Sequence, residues 1–269
     1  ATLGATLDDF RHASEGILTT DKGSKTAFRS VELTNGTHVR LAAMAKGAGM
    51  IGPSMATLLG VVLTDAALTP GDAQSALTDA VNVSFNSISV EGHTSTNDTI
   101  LLMASGKKTA SPLVGEDLAR LKMALSDLCI ELAKMIPDDG EGATHLIEIE
   151  VTGCRTTVDA DSIARTIANS ALVKTAVTGG DPNWGRVMSA AGYAGIEFDV
   201  LQSSLWINDT LIFSQGNPVE FDESVVSRSM KSNRETKLRI QIGEGEAVAR
   251  FWTSDLTVDY VNFNADYRT

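Results

Sequence analysis

Two incompatible periodicities stand back to back in the middle of this chain. Between Glu116 and Met135 the positions Leu118, Leu121, Leu125, Leu128, Cys129 and Leu132 recur at the spacing of one helix face. A short polar loop later, "HLIEIEVTG" (145–153) alternates apolar and polar side chains, the signature of a half-buried strand that ends at a glycine. Each pattern must bury one face, and the two together are satisfied by helices laid on a sheet. Helix-like and strand-like stretches alternate irregularly along the rest of the chain, without repeats or an obvious linker. The sequence therefore predicts an α/β protein, in the layered α+β sense, rather than a bundle or a sandwich.

The remaining elements follow from the same signals. Residues 5–18 read as a helix with acidic residues in its first turn. "SVELTNGTHVRLAAM" (30–44) reads as a hairpin turning at Asn35–Gly36. A strand is expected at 58–63, a helix at 70–86, and strands at 87–90 and 99–104 around the polar loop "EGHTSTND". Helices at 159–172 and 183–191 flank the loop "TGGDPNWG". The last third is expected to hold strands at 204–207, 236–243 and 246–253, with a short helix near 220–230.

Charge and cysteine usage narrow the function classes. A net charge of -12 opposes binding to phosphate backbones, so nucleic acid is not an expected partner. Two isolated cysteines, Cys129 and Cys154, suit a reducing compartment and form no zinc-type pair. No apolar run is long enough for a transmembrane helix, and no membrane partner is expected. The four histidines, His12, His38, His93 and His145, do not pair at ligand spacing, and the acidic residues near them read as solvated, so no metal is expected. "KGAG" and "TGGDPNWG" match neither a P-loop nor a dinucleotide fingerprint. Four N-x-[ST] matches, at Asn35, Asn82, Asn97 and Asn208, are read as chance.

The stretch "AKGAGMIGPSMATLLGVVLTDA" (45–66) raises a chemical question. Its glycines and Pro53 can bend the chain just before an apolar run, and Thr57 stands at the junction after the small residue Ala56. A threonine hydroxyl becomes a nucleophile when a base stands beside it, and its own α-amine can be that base once the preceding bond is cut. That amine, with a pKa of about 8, is partly neutral at physiological pH. From local chemistry alone, a structural strand threonine remains the ordinary reading.

Five motifs in order change the weighting: "KGAGMIGPSMATLLGVVLTDA", "SVEGHTSTNDTILLMASG", "EGATHLIEIEV", "GGDPNWGRVMSAAGYAG" and "LTVDYVNFNADYRT". Together they resemble the ornithine acetyltransferase family, the glutamate N-acetyltransferases of arginine biosynthesis, from "GILTTDKGSK" to the last residue. The resemblance implies a self-cleaving fold of mixed sheets packed against helices, cut at Ala56–Thr57 into a piece ending at 56 and a piece running 57–269. It implies that Thr57 is the nucleophile and that an acetyl group passes from N-acetylornithine to glutamate through an acetyl-enzyme, with no cofactor. It also implies substrate contacts at Thr19, Lys46, Thr57, Glu141, Asn264 and Thr269. Lys46 would meet an α-carboxylate and Glu141 the cationic amine of ornithine. Read without the resemblance, Lys46 is equally a solvated cation, Glu141 part of the acidic loop "PDDGEG", and Asn264 a turn cap.

The resemblance further implies two cleaved pairs assembled as a heterotetramer, a cytoplasmic location (the mitochondrial matrix for a eukaryotic source), and acetyl-CoA as a possible second donor. This chain departs from the family pattern at Ser54, at the "EGH" loop (91–93) and at Arg268. The family also carries upstream a threonine–glycine pair resembling an oxyanion hole, a feature worth about 3–4 kcal/mol in transition-state stabilisation. No residue here takes that role. An amidase or aminopeptidase on a similar self-cleaving scaffold, and a non-catalytic homologue serving as a binding subunit, are the rival expectations.

Overall fold

The computed structural model describes residues 4, 6–52, 58–94 and 97–266. They fall into two compact units that divide after Gly140.

In the first unit a helix α1 (Leu7–Gly16) is started by a reciprocal cap, in which the Thr6 hydroxyl accepts the Asp9 N–H and the Asp9 carboxylate accepts the Thr6 N–H. The hairpin of β1 (Lys25–Glu32) and β2 (His38–Lys46) pairs Lys25 with Ala45 and Glu32 with His38. Gly36 takes a positive φ of 78° in its turn, and Thr37 accepts the Leu33 N–H. β3 (Leu59–Thr64) returns antiparallel beside β2. The helix α2 (Pro70–Asn82), capped by Thr69, follows, then the short β4 (Ile88–Ser89) and β5 (Thr99–Ala104). β5 lies parallel to β3, so α2 is on the crossover that a parallel pair requires. The order is β1-β2-β3-β5, with α3 (Gly115–Asp138) against β1 and β2 and α2 against α3. Of the stripe expected from sequence, Leu121, Leu125, Leu128, Cys129 and Leu132 are buried on α3, and Leu118 is half-buried.

The second unit carries β6 (Leu146–Cys154), β7 (Ser204–Ile207), β8 (Thr210–Ser214), β9 (Asn217–Pro218), β10 (Glu235–Gln241) and β11 (Ala247–Ser254). They run in the order β11-β6-β10-β7-β8-β9, and only the β6–β10 pair is parallel. The helices are α4 (Thr157–Ala168), α5 (Ala171–Gly179), α6 (Trp184–Gly192), α7 (Glu223–Ser232) and α8 (Val258–Asp266). α4 packs on β6 and β11, and its Ala160, Ile163, Ala164 and Ile167 join Ile149, Val151, Ile240 and Phe251 in one apolar core.

The mixed sheets and helix layers are those expected. Several elements differ from the sequence reading, and the helix expected at 70–86 already ends at Asn82. The expected helix 159–172 stops at Ala168, and α5 begins anew behind a Ser170 cap whose hydroxyl accepts the Val173 N–H. The strand pair β8–β9 and the helix α8 had no counterpart in the sequence reading. The strand expected at 58–63, an apolar run that reads as buried, is β3, whose alternate positions are half-exposed. Among the described residues no helix is long and apolar enough to cross a membrane.

Candidate active site

β2 ends at Lys46, and its antiparallel register places Lys46 opposite Leu59. Lys46 therefore stands at the end of the sheet where β3 begins. Ala56 and Thr57, and with them Ser54, lie outside the described residues, as do Arg268 and Thr269.

Both flanks of that stretch are pinned by one connection, the loop between β4 and β5. On the upstream side the Ile51 N–H donates to Glu91 Oε1 at 2.7 Å, and the Ile51 carbonyl accepts the N–H groups of Val90 and Gly92. Gly52 is packed so closely that a β-carbon there would meet the Gly92 backbone at 2.6 Å. Downstream, the Leu58 N–H donates to Asp98 Oδ1 at 2.7 Å and its carbonyl accepts the Thr99 N–H at 2.9 Å. Burial pushes the Asp98 carboxyl up, against the Leu58 N–H and the positive charge of Lys46, which pull it down.

Lys46 Nζ donates to Thr19 Oγ1 at 3.2 Å, so the structure brings together two of the expected substrate contacts. Asp21 holds them in place. Its carboxylate accepts the Thr19 N–H at 3.2 Å, the Gly47 N–H at 2.6 Å, and Lys25 Nζ at 2.7 Å. Lys25 is buried and also meets Asp139 Oδ2 at 2.6 Å, which in turn accepts the Lys22 N–H. Burial disfavours the Asp21 carboxylate, but Lys25 and the Gly47 and Thr19 N–H groups outweigh it, and its pKa lies below the ordinary carboxylate value. An ammonium and a hydroxyl side by side at a strand end form a place for a carboxylate.

In the second unit the expected contacts Glu141 and Asn264 are also paired, with Asn264 Nδ2 donating to Glu141 Oε2 at 3.2 Å. Asn264 sits on α8 rather than in a turn. The Thr257 hydroxyl accepts the Tyr260 N–H at the start of α8 and donates to the Gly142 carbonyl at 2.7 Å. Gly142, at φ 68°, presses on the Tyr260 backbone so closely that a β-carbon would collide with it. The Glu141–Gly142 turn and α8 are thus docked on each other.

Beneath them lies a buried polar knot that sequence reasoning missed. Asp255 Oδ1 accepts the N–H groups of Thr144 (2.9 Å) and His145 (3.1 Å). Its Oδ2 accepts the hydroxyls of Thr144 (2.5 Å) and Thr178 (3.1 Å) and faces His145 Nδ1 at 3.1 Å. Burial opposes this carboxylate, yet the donors prevail and its pKa is lowered. The acidic partner of His145 is therefore buried, not solvated. Among the described residues no group of three or more His, Cys, Asp or Glu is placed to hold a metal ion, and Cys129 and Cys154 are both free and buried.

The family model described as the ArgJ family matches residues 1–269. The arginine biosynthesis bifunctional protein ArgJ of Rhodopirellula baltica is 45% identical over 99% of this chain and 66% of its own length. That of Nitratidesulfovibrio vulgaris is 44% identical over 100% of this chain and 67% of its own. A plant relative from Ricinus communis, named as chloroplastic, is 42% identical over 100% of this chain and 58% of its own. This chain thus spans about two thirds or less of the curated relatives it matches. A crystal structure of arginine biosynthesis bifunctional protein argJ from Bacillus halodurans has a TM-score of 0.75 and 40% identity, and covers 77% of this chain and 98% of the solved chain. With the family model matching from end to end and the α/β architecture shared, the chain belongs to the ArgJ family.

Proposed function

We propose that the protein carrying this chain is a glutamate N-acetyltransferase that cuts its own Ala56–Thr57 bond and uses Thr57 as nucleophile. The observation that supports this reading is the β2–β3 register, which pairs Lys46, whose ammonium donates to Thr19, with Leu59, two residues beyond Thr57 in the sequence. The same pairing accounts for the pieces staying together after cleavage. Residues 1–56 would keep β1 and β2, residues 57–269 would keep β3, and β2 and β3 are hydrogen-bonded neighbours within one sheet. The solved Bacillus halodurans chain fits a cut of this kind. It is matched almost end to end by 77% of this chain, close to the share that residues 57–269 represent.

In the proposed reaction the Thr57 hydroxyl gives its proton to the Thr57 amine as its oxygen attacks the acetyl carbonyl of N-acetylornithine. Ornithine leaves with that proton, and an acetyl ester remains on Thr57. The amine of glutamate then attacks the ester, and N-acetylglutamate departs as the hydroxyl is restored. Lys46 and Thr19 are assigned to an α-carboxylate, Glu141 to the cationic side-chain amine, and Asn264 and Thr269 to further substrate contacts. No cofactor enters these steps, and the oxyanion donors are assigned to no residue of this chain. Two cleaved pairs forming a heterotetramer in the cytoplasm complete the reading. Acetyl-CoA as a further donor would make the protein bifunctional, the word that the relatives' names carry.

The test is to incubate the full-length protein with N-acetylornithine, with and without glutamate, and to follow ornithine and N-acetylglutamate. Transfer predicts N-acetylglutamate formed in step with ornithine. Ornithine released at the same rate without glutamate would make the protein an amidase instead.

A further inference from the structure

The sheet of the first unit is apolar on both faces, although its helices cover one. On the covered face Ala27, Ala43 and Val62 stand side by side in register and are buried, where α3 packs on β1 and β2. On the other face a row across all four strands runs Phe28, Ala42, Leu63 and Met103, and the next row holds Met44, Val61 and Leu101. Phe28, Leu101 and Met103 are 48%, 46% and 50% exposed. The second unit shows how this chain marks a solvated face. Opposite the core residues Ile149 and Leu238, β6 and β10 carry Glu148, Glu150, Lys237 and Arg239. β3 and β5 read LGVVLT and TILLMA, without that alternation. Strands apolar on both sides belong to sheets covered on both sides, and a monomer rarely leaves so continuous a strip open to water.

We infer that this face is an internal interface of the full-length protein, covered by polypeptide that precedes residue 1. The match to the Rhodopirellula baltica relative takes in 99% of this chain but 66% of that protein, so about a third of the relative has no counterpart in residues 1–269. The N-terminal helix shows where added polypeptide arrives. α1 already lies over the β1 end of the same face, with the Phe10 ring 5.3 Å from that of Phe28. A segment joined ahead of α1 therefore starts beside the open strip, whereas the C-terminal helix α8 belongs to the other unit. The occupant presents an apolar face of its own, and its docking removes Leu63, Leu101 and Met103 from water. This cover is independent of the reaction that the protein performs.

Two measurements on the full-length protein test this. In the first, peroxide oxidation of Met103 is followed by peptide mass spectrometry in native and in urea-unfolded wild-type protein. Methionine oxidation tracks exposure, so a covered Met103 is expected to react at least about fivefold more slowly in the native state. In the second, Met103→benzoylphenylalanine, or Leu101→benzoylphenylalanine in the neighbouring row, is irradiated and the joined peptides are identified. The expected product links the photoreactive side chain to sequence upstream of residue 1 in the same molecule. Mixing light and isotope-labelled protein separates that product from a link between two copies. Native protection of Met103 below about fivefold would overturn the inference. So would a photoproduct that joins a second copy, or only residues 1–269, or nothing.

Discussion

Lys46 and Thr19 lie 27 residues apart in sequence, and the ammonium of one donates to the hydroxyl of the other at 3.2 Å. Neither local periodicity nor composition joins them. The contact arises because β2 delivers Lys46 at its end while Asp21 ties the Thr19 backbone to that of Gly47. If this pair receives a substrate carboxylate, Lys46→Met should raise KM for the amino-acid substrates far more than it lowers kcat. A charge-assisted hydrogen bond of about 1.5–3 kcal/mol corresponds to roughly 10- to 150-fold in KM, read from steady-state kinetics.

Lys25 is buried between Asp21 and Asp139, with 3% of its side chain exposed. Removing its charge by Lys25→Met leaves two carboxylates without their cation, and a broken buried pair typically costs about 3–5 kcal/mol. Urea unfolding of the variant should show that loss. Asp21→Asn/Lys25→Met together should cost less than the two single changes summed.

The folded pKa values of Asp21 and Asp255 lie below the ordinary carboxylate value. A lowered folded pKa means that the unfolded chain binds protons first as pH falls. The stability these groups contribute is complete above the ordinary carboxylate pKa of about 4 and is lost as pH drops through the folded values. Unfolding free energies measured from about pH 7 down to about pH 3 should therefore hold steady and then decline at the acid end. In Asp255→Asn the decline should be shallower, from a lower plateau.

Gly52 has no room for a side chain, because the Gly92 carbonyl carbon stands 2.6 Å from where its β-carbon would be. Gly52→Ala must push the 51–52 strand of loop away from 90–92 and disturb the Ile51 hydrogen bonds. Overpacking of this kind costs about 1–3 kcal/mol. Under the self-cleavage reading, the variant should also cut itself more slowly, as seen by the fraction of intact chain over time.

The sequence was most legible where periodicity alone decides. α3 and β6 bury the residues that their spacing picks out, since one face meets the core in each. The Asn35–Gly36 hairpin was visible for the same local reason. α5 and α8 escaped the sequence reading: Ser170 restarts a helix directly after Asn169, and Thr257 starts α8, on which no described residue is buried.

Around the candidate site, resemblance named Thr19, Lys46, Glu141 and Asn264, and the structure pairs them two by two. The groups that hold them in place were illegible. Asp139 reaches Lys25 across 114 positions, and Asp255 reaches Thr144 across 111, distances at which sequence carries no contact signal. Asp98 was hidden inside the polar loop "EGHTSTND", where a carboxylate looks like any solvated one.

Under the proposed function, Thr57 becomes an N-terminus and carries the acetyl group. Denaturing mass spectrometry of the purified full-length protein, before and after N-acetylornithine is added without glutamate, tests both halves at once. The account predicts two chains, one beginning at Thr57, and a gain of one acetyl group on that chain which glutamate removes. A folded protein that stays a single uncut chain, or an acetyl group lodged on a residue other than Thr57, would contradict it.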